Sequence, residues 1–371
     1  MASSTPFRDQ RRRLASDLAA IAGPTDLLAF QLALIEGITK CEQVLAQSPN
    51  DEIADHLFLL RLFGDALAWR YLHSHTIRQL AKGQGRPPNL TGQGKAFELT
   101  VEVATRLCGK GLPALVADLT SCLRISDVIV AEDPEAPGLI ECKSSGPTEP
   151  EKLRGRSRRQ YSRMKGTLDY LRHGRAKLFG EDHERLMLET SVVPTYNWEV
   201  VESVCSEALA SGLGSRLISR DELVFAVHVD NSVKVPREID SGEFDANQAI
   251  VAFHGDALNE PWPTVPPPLA WPVGLEVQLA LLERDIALVH MFRPTVLIGY
   301  SNDKARICGV DRISGPEDHA YAVELRNETF LLSSNFTQQV LYGYRQVENI
   351  AEEMLDFAIK SADAIEKLAD G

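Results

Sequence analysis

Ser126-Asp127-Val128-Ile129-Val130 opens the stretch that sets the architecture of this chain, and Leu139-Ile140-Glu141-Cys142-Lys143-Ser144-Ser145 closes it. Both runs read as short β-strands. Between them lies Ala131-Glu132-Asp133-Pro134-Glu135-Ala136-Pro137-Gly138, whose prolines and glycine favour a chain reversal and oppose a helix. Together the three predict a β-hairpin. Side chains alternate along a strand, so Glu141 and Lys143 share one face while Ile140 and Cys142 enter the opposite, apolar layer. If the hairpin pairs with Asp127 across from Glu141, two carboxylates and one ammonium converge on a spot suited to a hard divalent cation. The plain alternative is a solvent-facing hairpin with an incidental ion pair.

An acid at the start of one strand with Glu-X-Lys on the next resembles the PD-(D/E)XK superfamily, the restriction-endonuclease-like nucleases. Asp127 matches the first acid; Glu141, Cys142 and Lys143 match the second element, and Ser126 stands where the family name has proline. The match covers residues 95–145 and extends to about residue 195 through the order of strands and helices. The resemblance implies an α/β fold with a mixed-sheet core of order α-β-β-β-α-β. It also implies hydrolysis of phosphodiester bonds in nucleic acid, DNA favoured, in bacterial genome (antiviral) defence or DNA processing. Asp127 and Glu141 would hold Mg²⁺ or Mn²⁺ together with the backbone carbonyl of Cys142, and Lys143 would position the attacking water and offset charge on the phosphate. A subunit that binds nucleic acid without cutting is the alternative. Retention of Asp127, Glu141 and Lys143 together favours the enzyme.

Two flanking helices belong to this reading. Gly94 to Cys108 is amphipathic and carries Glu98 and Glu102 one turn apart; the resemblance gives Glu98 a metal-binding place on the first core helix, and a solvated polar stripe is its plainer role. Downstream come Lys152, Arg154, Arg156, Arg158, Arg159, Arg163, Lys165, Arg172, Arg175 and Lys177, opposed only by Asp169, in a chain whose formal net charge is -13. A basic cluster set against an acidic background suits phosphate, with Arg154, Arg156, Arg158, Arg159, Arg163 and Lys165 as the contacts. Family members carry a Gln and a Tyr on the helix after Glu-X-Lys, for which Gln160 and Tyr170 are candidates. Tyr161 and Tyr170 could stack on bases or pack in the core.

The 371 residues, 44% of them hydrophobic, exceed a usual single domain. The expected division is an N-terminal helical region at 1–85, a nuclease-like core at 86–235, and an α+β extension at 236–371. No apolar run approaches the ~20 residues that span a bilayer, the N-terminus lacks a secretory apolar core, and the six cysteines are scattered without a Cys-X-X-Cys pair. These features point to a cytoplasmic protein with reduced thiols and disfavour zinc. Residues 8–83 read as helices broken at Gly23-Pro24 and Ser48–Asp51, with His73 and His75 on a polar edge, and Gly83 to Gly94 as a linker. Strands are expected at Leu112–Leu123, where Asp118 rivals Asp127, and at Leu186–Val193 and Glu222–Val229, with a helix over Asn197–Ala210. Pro261–Pro268 excludes a regular helix. The helical tail Phe336–Leu368 could dock on the N-terminal helices or on a second subunit in a homodimer. No ATPase motif is present, so translocation or target choice would come from a separate ATPase or sensor subunit.

Overall fold

The computed structural model describes residues 5–81, 87–142, 153–178, 180–229, 244, 249–254, 265–310, 319–326, 328–333 and 335–369. Two compact units emerge: residues 1–187 with 261–271, and residues 188–260 with 272–371. The chain passes between the units after residues 187, 260 and 271.

In the first unit, α1 (Thr5–Ala20), α2 (Pro24–Gln47), α3 (Asp51–Tyr71) and α4 (Ser74–Leu80) follow one another. Their breaks are local chemistry. Pro24 begins α2 with its missing N–H where no helical partner exists, and the Asn50 side chain caps α3 by accepting from the Ile53 N–H at 3.0 Å. His73 caps α4, its Nδ1 accepting from the His75 N–H. Then come α5 (Lys95–Cys108), β1 (Ala114–Val116), a 3-10 turn at Ala117–Leu119, β2 (Val128–Val130), β3 (Gly138–Ile140), α6 (Gly155–His173), β4 (Arg175–Ala176) and β5 (Arg185–Leu186).

β1, β2 and β3 form one sheet in that order, antiparallel throughout, so the mixed sheet expected for the core is corrected to a small antiparallel one. Among the described residues no parallel pair occurs. After α6 the described residues of the first unit make the two-residue β4–β5 ladder, and most of the strand expected at Leu186–Val193 is irregular. Leu186 is 43% exposed and Val193 78% exposed, whereas a strand in a parallel sheet buries both faces.

The N-terminal helices are not a separate region because their side chains close the backbone of this sheet. Buried Gln31 on α2 donates from Nε2 to the Ala114 carbonyl at 2.9 Å and accepts from the Val116 N–H at 2.7 Å, satisfying the outer edge of β1. Asp65 on α3 accepts from the Ser121 and Cys122 amides at 2.7 and 3.0 Å. Burial pushes its carboxyl pKa up, and these bonds offset part of that rise. The expected linker also changes character: Glu42 accepts from the Leu90 and Thr91 amides and pairs with Arg61, which donates to the Pro88 carbonyl. Residues 82–86 lie outside the described set.

The second unit contains α7 (Trp198–Ser211), β6 (Leu213–Ser219), β7 (Glu222–His228), β8 (Ile250–Phe253), α8 (Leu275–Leu282), β9 (Ile286–Phe292), β10 (Ala305–Val310), β11 (His319–Leu325), β12 (Glu328–Ser333), α9 (Asn335–Leu341) and α10 (Val347–Ala369). Its sheets, β6-β7-β9-β8 and β10-β11-β12, are antiparallel. The tail expected to dock elsewhere instead fills this unit's own core with Val340, Val347, Ile350 and Met354. It is two helices, separated where Tyr344 adopts a left-handed φ of 52°.

Candidate active site

The β2–β3 register pairs Val128 with Ile140, and carrying it one residue further sets Asp127 opposite Glu141, the pairing on which the hairpin reading depended. The strand ends are tied beyond the ladder. The Asp127 N–H donates to the Ile140 carbonyl at 3.1 Å, and Asp127 Oδ2 accepts from the Cys142 N–H at 2.7 Å. The Asp127 carboxylate thus reaches the peptide that follows Glu141. On the other side, the Ala117 N–H donates to the Asp127 carbonyl at 3.0 Å, so the segments on both sides of β2 fix this residue.

Glu141 is half-buried, and its Oε2 accepts from Gln160 Nε2 at 2.5 Å. That bond ties α6 to Glu141 and sets Gln160 beside the acid pair. The Cys142 thiol pairs with Thr100 of α5; burial pushes its pKa up, and the charges of Asp127 and Glu141 push the same way. A thiol held protonated is a poor metal ligand, which leaves the Cys142 carbonyl as this residue's donor. Lys143 lies outside the described residues.

Glu98 lies on the other side of α5. α5 buries Phe97, Thr100, Ala104 and Cys108, and at about 100° per residue Glu98 sits roughly 160° around the helix from Thr100, the residue that meets Cys142. Glu98 is exposed. Glu102 is occupied by Arg106 at 2.7 Å. Asp118, the rival acid, lies in the 3-10 turn, where burial raises its pKa and Gln93, Arg61 and Arg124 counter the rise.

Among the described residues no group of three or more His, Cys, Asp or Glu is placed to hold a metal ion. The Asp127 and Glu141 carboxylates with the Cys142 carbonyl would make an all-oxygen donor set. It fits Mg²⁺ or Mn²⁺ that keeps much of its water shell, since Mg²⁺ commonly takes only one or two carboxylates from a protein.

α6 carries the basic cluster outward. Arg154, Arg156, Arg158, Arg159 and Lys165 are exposed and Arg163 is half-buried. Lys165 pairs with Asp169 at 2.5 Å. Tyr170 is 5% exposed and packs against Leu171, Ala176 and Leu178, with His75 5.7 Å from its ring. It is a core residue and cannot stack on a base. Tyr161, by contrast, is 39% exposed.

No protein-family model matches the chain, and neither a curated protein nor a solved structure is similar to it. No helix among the described residues is long and apolar enough to cross a membrane.

Proposed function

We propose that the first unit is a metal-dependent nuclease that hydrolyses phosphodiester bonds of nucleic acid, DNA favoured. The observation that carries the reading is the Gln160–Glu141 bond, which joins an arginine-rich helix directly to a pair of facing carboxylates. Phosphate-binding charge and metal-binding charge are thereby neighbours.

Asp127, Glu141 and the Cys142 carbonyl would hold Mg²⁺ or Mn²⁺, which when bound supplies Lewis acidity toward a phosphate oxygen and lowers the pKa of water. The chain's own groups do the rest. Gln160 orients Glu141, the Cys142 amide orients Asp127, and the exposed arginines of α6 neutralise the backbone of the strand being cut. Lys143 positions the attacking water. A second reading is a nucleic-acid-binding subunit without cleavage, for which the exposed arginines of α6 suffice.

Incubation of supercoiled plasmid, linear duplex, single strands and RNA with Mg²⁺, Mn²⁺ or chelator separates the two. The nuclease reading expects metal-dependent cleavage that Glu141→Gln and Lys143→Ala abolish while binding persists. Cleavage that survives both substitutions rejects the assignment, and binding without any cleavage establishes the second reading.

A further inference from the structure

Seven residues advance a helix by almost two full turns, so Arg158, Lys165 and Arg172 rise as one stripe along α6, about 21 Å from end to end. All three are exposed. The stripe faces away from the layer that buries Thr167, Tyr170 and Leu171, and away from the flank where Gln160 meets Glu141. Tyr161 follows Arg158 by three positions and precedes Lys165 by four, which makes it the surface neighbour of both. The residue is 39% exposed.

Electrostatics alone gives this tyrosine no purpose. A duplex satisfies a basic stripe with its phosphates and keeps its base faces stacked inside. An unpaired strand offers both phosphate and an open π-face, and proteins that hold single strands combine a basic track with aromatic platforms. Lys165 is bonded to Asp169 at 2.5 Å with the lysine side chain largely in water and the carboxylate partly so, an arrangement worth little that a phosphate can displace.

We infer that the outward face of α6 is a single-strand track, on which Tyr161 stacks an unpaired base while Arg158, Lys165 and Arg172 take the flanking phosphates. The inference rests on the reading that the first unit handles nucleic acid, and it names the strandedness that reading left open.

Fluorescence anisotropy of a labelled oligothymidylate about a dozen nucleotides long, with the full chain in chelator, measures binding apart from cleavage. Tyr161→Ala should weaken binding roughly five- to hundred-fold, and Tyr161→Phe should restore it. A blunt duplex should bind more weakly than the single strand and be indifferent to Tyr161→Ala. Replacing Arg158, Lys165 and Arg172 together by Gln should reduce the slope of log affinity against log salt by about 2. Circular dichroism confirms that these surface variants fold. Unchanged single-strand affinity in Tyr161→Ala, or an equal loss on duplex, overturns the inference. Absence of cleavage with this binding pattern intact counts against the nuclease reading alone.

Discussion

Helix propensity says that Gly64→Ala should stabilise α3, since glycine in a helix interior costs about 0.5–1 kcal/mol relative to alanine. The structure reverses the sign. A Cβ at position 64 would lie 2.2 Å from the Leu119 carbonyl oxygen and 2.7 Å from its carbon. Both contacts are backbone, so neither can rotate away; either α3 or the 3-10 turn must move. That turn is the one anchored by the neighbouring Asp65 through Ser121 and Cys122. Overpacking of this kind costs about 1–3 kcal/mol, and each anchoring group left unpaired adds about 1–3 kcal/mol. A net loss of about 3 kcal/mol remains after the propensity gain, equivalent to a fall in Tm of roughly 6–12 °C for a unit of this size. Thermal unfolding followed by circular dichroism, with urea titration to separate the two units, measures it. An equal or higher Tm for Gly64→Ala would refute the close approach of α3 to the turn.

Other substitutions probe other joints. Gln31→Leu strands the Ala114 carbonyl and the Val116 amide, costing about 2–4 kcal/mol; hydrogen exchange should show the Val116 amide losing protection, and unchanged protection would show that Gln31 does not close β1. His56 tests pH. Arg11 can only donate, so its bond to Nδ1 at 2.9 Å requires Nδ1 to accept and leaves Nε2–H to donate to Gln10 at 3.1 Å. Burial, helped by the Arg11 charge, pushes the His56 pKa down to about 4. The folded state thus prefers the neutral ring, so its contribution is complete above about pH 6.5 and falls by about 3 kcal/mol as pH drops through 4. The Tm gap between the native chain and His56→Gln should narrow over that window; a constant gap contradicts the assignment. Gln160→Leu should lower Mn²⁺ affinity and cleavage roughly 10- to 100-fold through loss of Glu141 orientation, and full activity in that variant would make the bond incidental.

The local parts of this architecture were legible because local rules create them. Pro134, Pro137 and Gly138 mark the reversal, the apolar runs on either side mark the strands, and the register then follows so that Asp127 faces Glu141. Gly23-Pro24 and Asn50 mark helix starts in the same way. The attachment of the N-terminal helices to the β1–β3 sheet was not legible, because it depends on single polar side chains acting across long separations. Gln31 reaches β1 over 83 residues and Asp65 reaches Ser121 over 56, and neither leaves a periodic trace in the sequence. Glu98 lies on the wet face that the amphipathic pattern of α5 already marks, opposite the buried Thr100 that meets Cys142. Tyr170 sits 10 positions beyond Gln160 on α6, and its hydrophobic neighbours Leu171, Ala176 and Leu178 were the signal that it belongs to the core.

Mn²⁺ titration of the full chain, followed by electron paramagnetic resonance without any nucleic acid, asks whether Asp127 and Glu141 act together on a cation. The account predicts saturable binding in the native chain that disappears in Asp127→Asn and in Glu141→Gln while circular dichroism stays unchanged. Binding of equal strength in both variants would place the metal elsewhere and leave the facing carboxylates as a structural clasp.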